Sequence, residues 1–238
     1  MQKRLSLLIA ILFCGALVGA PAVGAPARPT ATFPCTPDLY RAGTSALNIT
    51  VATGVLATII TPASSQVYGY GAGKPSAGDI WMFNQSGGVG FVQLGWYLGA
   101  PTGLPLATQP RVFWGENVPP PDVEVLHAGP VLSWDTVYEF MITNPLDGTN
   151  RFNLWLQGKI IGRSDYGHSL NAPGFVGEVD AKCTTMHAVA AHGQPPLRTL
   201  RYRYGSWHYF SGTRYTRQAD FYSIELGDIA TDFAYGGG

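Results

Sequence analysis

Two polar side chains lie in stretches that are otherwise apolar, Gln93 in FVQLGW and Glu178 in GFVGEV. Cutting a peptide bond requires a base that activates water, a donor for the oxyanion that develops, and an acid for the leaving amine. One carboxylate can take the proton of water and later return it, while a glutamine amide donates through nitrogen and accepts through oxygen. If the fold brings the two side chains together, Glu178 has the chemistry of a base and then an acid, and Gln93 that of an oxyanion donor.

Other residues are candidates to support this site or to bind substrate. They are Trp96, Trp114, Glu116 and Asp180. Glu116 is expected to support the site or contact substrate rather than to take part in the chemistry. Because a carboxylate drives the reaction, an acidic working range is expected unless burial raises the pKa of Glu178. The residue types and spacings indicate no metal and no cofactor.

The elements that must position these residues are predicted to be β-strands. The chain has 30 glycines and 18 prolines, and no stretch after the N-terminal segment shows apolar residues at helical spacing over three turns. Many short strands between tight-turn signals predict an all-β fold, an antiparallel β-sandwich of the concanavalin-like jelly-roll type. The predicted strands are 46–61, 79–84, 90–98, 111–116, 137–143, 152–157, 174–180, 199–204, 206–211 and 219–224.

Alternation along a strand assigns each candidate to a face. In residues 90–98, Gln93 shares one face with Phe91 and Tyr97, while Leu94 and Trp96 take the other. An uncharged amide on a patterned sheet face needs a partner. The segment VPPPDVEVLHAGP is predicted to be a crossover loop at the rim of the fold, QGKIIG a turn, and the final AYGGG a frayed tail.

The ends of the chain and its charge limit the partners to be considered. Residues 1–27 resemble a secretory signal peptide, which predicts an extracellular protein with no membrane segment after cleavage. Residues 28–45 are then an N-terminal arm and 46–235 a single sandwich domain, in which Cys35 and Cys183 are expected to form a disulfide. Fifteen basic residues balance fifteen acidic ones, so no nucleic-acid partner is expected. We expect a monomer.

The motifs resemble those of the glutamic peptidases, secreted sandwich-fold endopeptidases that use a Gln/Glu dyad. In that family a glutamine lies in an apolar strand that ends in glycine, then comes a W-x-E-x-x-P segment, and much later a strand with the catalytic glutamate. Here Gln93 precedes Gly95, Trp114 leads to Pro119, and Glu178 follows in the same order. The resemblance implies a polypeptide substrate and a dyad side by side on the concave face of the sandwich.

A second resemblance is to the neprosin-type peptidases and related bacterial secreted proteins. It is carried by Trp81, by QLGW, and by the sequence GEV around Glu178. In neprosin-type enzymes the first dyad residue is a glutamate, so Gln93 favours the Gln/Glu version. Both families have a tryptophan before the second glutamate, and this chain has phenylalanine and valine at 175–176 instead.

Two other functions are compatible with the same pattern. A glycoside hydrolase would use Glu178 and Asp180, which are two apart on one strand like the carboxylates of laminarinase-like enzymes. That pattern includes a further glutamate where this chain has Cys183. A carbohydrate-binding module without activity would use tryptophans as stacking platforms for a polysaccharide. In a purely structural role, Gln93 would be a buried amide bonded to backbone and Glu178 part of a solvated face.

Overall fold

The residues that the computed structural model of the chain describes form seventeen β-strands. The model describes residues 37–45, 52–65, 67–72, 75–84, 90–118, 123–181, 185–186, 200–209, 213–217, 222–226 and 232–236. The strands are β1 Pro37–Ser45, β2 Gly54–Ile60, β3 Val67–Tyr68, β4 Ser76–Phe83, β5 Phe91–Gly99, β6 Ala107–Val118, β7 Val123–Val131, β8 Val137–Thr143, β9 Asn153–Leu156, β10 Lys159–Arg163, β11 Ala172–Ala181, β12 Thr185–Met186, β13 Leu200–Tyr204, β14 Ser206–Tyr209, β15 Thr213–Arg217, β16 Tyr222–Leu226 and β17 Asp232–Gly236.

The strands form two main antiparallel sheets. One has seven strands in the order β15-β1-β11-β4-β5-β6-β7, and the other has six in the order β10-β9-β8-β2-β13-β14. Two further pairs, β3 with β12 and β16 with β17, complete the described strands. The predicted antiparallel β-sandwich is therefore confirmed.

Period-two alternation in β5 gives each face of the seven-stranded sheet its own cluster of side chains. Leu94 and Trp96 lie on the face directed toward the six-stranded sheet, here called the inner face, in a core shared with Phe140 of β8. The opposite or outer face has a smaller cluster that includes Tyr97 and Phe113. The inner core includes Val55, Ile59, Ile80, Met82, Val92, Leu94, Trp96, Leu98, Val112, Leu132, Phe140, Ile142, Phe152, Leu154, Leu170 and Phe175.

Several segments predicted to be irregular are strands. The predicted crossover loop contains β7, whose VEVLHA sequence alternates between faces while pairing with β6. The predicted turn QGKIIG is shorter than expected, because Gln157 and Gly158 alone reverse the chain at φ of 50° and 71° and β10 begins at Lys159. β1 lies in the predicted N-terminal arm, where pairing with β11 and β15 makes it a strand. The predicted frayed tail overlaps β17, which pairs with β16.

Two expectations concern parts of the chain that lie outside the described residues. The predicted signal peptide belongs to them, as do both cysteines of the predicted disulfide, Cys35 and Cys183. Among the residues that the structure does describe, none forms a helix long and apolar enough to cross a membrane.

Candidate functional site

Gln93 lies near the middle of the outer face and has a carboxylate partner. Its neighbours in register are Trp81 of β4 and Gly115 of β6. Although Gln93 is only 4% exposed, its Nε2 atom donates a hydrogen bond to Oε1 of Glu124 at 2.7 Å. Glu124 comes from β7 and is itself exposed. The partner that Gln93 requires is therefore an acid, and it lies in the segment predicted to be a loop.

Gly115 makes this contact possible. The Gln93 side chain must cross β6 to reach β7, and it crosses where β6 has no side chain. A Cβ atom at position 115 would lie 2.8 Å from the Gln93 amide nitrogen and 2.5 Å from Cδ2 of Leu126. Real Cβ atoms do not make such close contacts, so any other residue at position 115 displaces the amide.

An aromatic surface borders Gln93 on the side of β4. The Trp81 ring stacks on Phe91, with ring centroids 5.3 Å apart and planes 27° apart. Its indole nitrogen donates to Oδ1 of Asp79 at 2.6 Å, which fixes the ring orientation. Asp79 is fully buried opposite Gly95, where the absence of a side chain lets β4 and β5 approach closely. A partly exposed apolar surface therefore lies next to the amide.

The backbone register separates Glu178 from Gln93. Between β11 and β5 lies β4, where Trp81 pairs with Gln93 on one side and with Gly174 on the other. Position 178 lies four residues beyond Gly174 and pairs with Ala77 of β4, opposite Tyr97 of β5. The offset is four residues along the strands and two strands across the sheet, or about 13 Å by about 10 Å at ordinary strand spacings. The side chains of Glu178 and Asp180 lie outside the described part of the structure, so their roles stay predictions.

Three of the predicted supporting residues lie on the inner face, away from Gln93. Trp96 is fully buried in the core between the sheets. Trp114, partly buried, packs against the same core and stacks on His127, with centroids 5.2 Å apart and planes 11° apart. Glu116 follows two residues later on β6 and is 2% exposed. This placement separates all three from a substrate bound at Gln93.

Glu116 holds the loop between β10 and β11 instead. Its Oε1 accepts the backbone N–H of Asp165 at 2.5 Å, and its Oε2 accepts the N–H of Tyr166 at 3.2 Å and Nε2–H of His168 at 2.7 Å. Burial of the carboxyl raises its pKa, but these hydrogen bonds outweigh burial, and the pKa of Glu116 falls below its ordinary value of 4.5. The carboxyl is therefore ionised in the folded protein at neutral pH.

Glu116 also belongs to a cluster whose ligand atoms are close enough to surround a cation. Atoms of Glu116, His127 and Asp165 lie within 4.8 Å of one another, and His127 Nε2 is 3.5 Å from Asp165 Oδ2. Both carboxylate oxygens of Glu116 already accept hydrogen bonds from the protein. We therefore interpret the cluster as part of the network that fixes the loop.

No protein-family model matches the chain, and no curated protein matches it in sequence. Among solved structures, scytalidoglutamic peptidase bound to a peptide-based transition-state analogue superposes with a TM-score of 0.55 at 11% identity. The match covers 85% of this chain and 100% of that one.

Two further solved structures are similar to the chain to different degrees. An eqolisin-family peptidase in complex with the tripeptide Ala-Ile-His has a TM-score of 0.54 at 10% identity, again covering 85% of this chain and 100% of that one. A β-glucanase from Bacillus licheniformis has a TM-score of 0.35 at 11% identity over 78% of this chain and 64% of that one, too remote to support a functional argument. At these identities the comparison establishes the fold alone. The chain therefore has the β-sandwich fold of the glutamic peptidases.

Proposed function

We propose that the chain is an endopeptidase of glutamic-peptidase type that works at acidic pH outside the cell. The observation that carries the proposal is the buried Gln93 amide, hydrogen-bonded to a carboxylate on the outer face of a sheet with the glutamic-peptidase fold. An amide held in this way is a preorganised donor for the oxyanion of a tetrahedral intermediate. The solved neighbours with this fold bind a peptide-based transition-state analogue and a tripeptide, which supports a polypeptide substrate here.

Two glutamates are candidates for the general base that activates water. The resemblance to the glutamic peptidases assigns it to Glu178, and the contact with Gln93 points to Glu124. Either carboxylate would take a proton from water and later return it to the leaving amine. The proposed function requires only that one of them acts with Gln93.

Cleavage of an unfolded protein tests the proposal directly. The secreted protein is incubated with a reduced and alkylated substrate from about pH 2 to pH 7, the range over which carboxyl groups titrate. We expect new peptide termini, detected by mass spectrometry, at acidic pH and in the presence of a metal chelator. A folded sample that yields no new termini at any of these pH values would refute the proposal.

Trp81 is proposed to bind an apolar substrate side chain beside the scissile bond. Its stacked pair with Phe91 leaves a partly exposed aromatic surface next to Gln93. Aromatic packing of this kind contributes about 0.5–1.5 kcal/mol, so we expect Trp81→Leu to raise KM by roughly two- to tenfold while kcat changes less. Steady-state kinetics on a peptide substrate measures both values. An unchanged KM would place the substrate elsewhere.

A further inference from the structure

We propose that Glu124 is the carboxylate of the catalytic dyad, so that the dyad joins β5 to β7 instead of β5 to β11. The inference rests on the proposed peptidase function and names its base. Gln93 Nε2 and Glu124 Oε1 are 2.7 Å apart, within hydrogen-bond distance. This hydrogen bond orients both side chains before substrate arrives.

The exposure of the two side chains suits their separate tasks. Gln93 is 4% exposed, so its amide is held in a low-dielectric setting where a hydrogen bond to an oxyanion is strong. Glu124 is exposed, so water can reach its carboxylate. A glutamine amide has two N–H donors. One can therefore hold Glu124 while the other donates to the developing oxyanion.

The register of β11 makes Glu178 a poorer partner for Gln93. Their positions differ by four residues along the sheet and by two strands across it. At about 3.3 Å per residue and about 4.8 Å per strand, that offset exceeds the reach of one shared water. Glu124 instead meets Gln93 directly, across the gap that Gly115 leaves in β6.

The reaction assigned to this pair balances with water as the only co-reactant. Glu124 takes one proton from water as the water oxygen attacks the carbonyl carbon, and the carbonyl π electrons move to the oxygen. Gln93 donates to that oxyanion. The oxyanion then re-forms the carbonyl, the C–N bond breaks, and Glu124 returns the proton to the leaving nitrogen. The products are a carboxylic acid and an amine, and Glu124 is again a carboxylate.

Three glutamate-to-glutamine variants separate the candidates. Glu124→Gln is expected to lower kcat for acid cleavage by at least about 100-fold, the size of a general-base contribution, with KM little changed. The control Glu139→Gln on the six-stranded sheet is expected to keep kcat within about twofold. Glu178→Gln is the competing arm, and its loss of kcat is expected to be much smaller than that of Glu124→Gln. Thermal unfolding of each variant shows whether it is folded.

Gly115→Ala tests the geometry without touching either carboxylate. The added methyl group displaces the Gln93 amide, so kcat is expected to fall with Glu124 intact. Pairing it with Leu126→Ala removes the second close contact, and thermal unfolding shows whether the double variant is folded. If the folded double variant keeps wild-type kcat, the bridging geometry is not used.

The outcomes distinguish this inference from the function on which it rests. If folded wild-type protein does not cleave, the proposed function and the dyad both fail. If wild-type protein cleaves and Glu124→Gln cleaves equally well, the Glu124 assignment fails while the peptidase function stands. Loss of activity in Glu178→Gln alone would return the base to β11.

Discussion

Replacing Gln93 by methionine is expected to lower kcat for peptide cleavage by about 10²- to 10³-fold, the loss that follows removal of one oxyanion donor. Methionine has nearly the length and volume of glutamine but no amide, so the buried site stays filled while the donor to Glu124 and to the oxyanion is lost. The measurement is kcat and KM on a peptide substrate at acidic pH. KM is expected to change little, because the donor acts mainly in the transition state.

Gln157 provides the matched control for this prediction. It lies in the turn between β9 and β10 on the other sheet, where its Oε1 accepts the backbone N–H of Glu139. Gln157→Met therefore makes the same chemical change far from the outer face, and we expect wild-type kcat. If Gln93→Met is folded and retains kcat, Gln93 is a structural amide and the peptidase proposal loses its central group.

Replacing Glu116 by alanine is expected to lower the free energy of unfolding by roughly 3 kcal/mol. The change removes the acceptor of three hydrogen bonds, from the N–H groups of Asp165 and Tyr166 and from the ring of His168. A buried donor left without an acceptor costs about 1–3 kcal/mol. Urea unfolding monitored by tryptophan fluorescence measures the loss. The control Glu139→Ala is expected to change stability by no more than about 0.5 kcal/mol.

The same carboxylate predicts a pH dependence whose sign is fixed. Because the pKa of Glu116 is lowered in the folded protein, the unfolded chain binds the proton more readily. The stability that Glu116 contributes is fully present above the ordinary pKa of about 4.5 and is lost as pH falls through the lower folded pKa. We therefore expect wild type and Glu116→Gln to converge in stability as pH falls below that range. Curves that stay parallel down to pH 2 would contradict the assignment.

Alternation and turn residues predict a strand correctly where the local sequence alone has a clear strand pattern. The predicted strand 137–143 coincides with β8, and the two-faced pattern of β5 is as expected. The misses at β1, β7, β10 and β17 have a common physical cause. In each case the strand is defined by pairing with a partner strand, whereas the local prolines, glycines or short turn suggested irregular structure.

The sequence predicts the site only in part, because the contacts that define it also come from distant strands. The strand pattern predicts that the Gln93 amide needs a partner, but that partner is 31 residues away in a segment predicted to be a loop. The alternation of apolar and polar residues in VEVLH is the sequence signal for a strand at this position, with Glu124 on one face. The sequence does not predict the structural role of Glu116 in the W-x-E motif, because Glu116 contacts a loop about 50 residues further along the chain. Glu178 as the catalytic base stays a prediction.

Local unfolding of β7 would change both faces of the seven-stranded sheet. It ends the strand order of the seven-stranded sheet and, among the described strands, pairs on one side with β6. A terminal strand of this kind opens more readily than a central one, and a slip by a single residue exchanges its two faces. Such a slip would replace Glu124 by a valine on the outer face and withdraw His127 from Trp114 on the inner face. Amide hydrogen exchange along β7 would therefore report how often the carboxylate is withdrawn from Gln93.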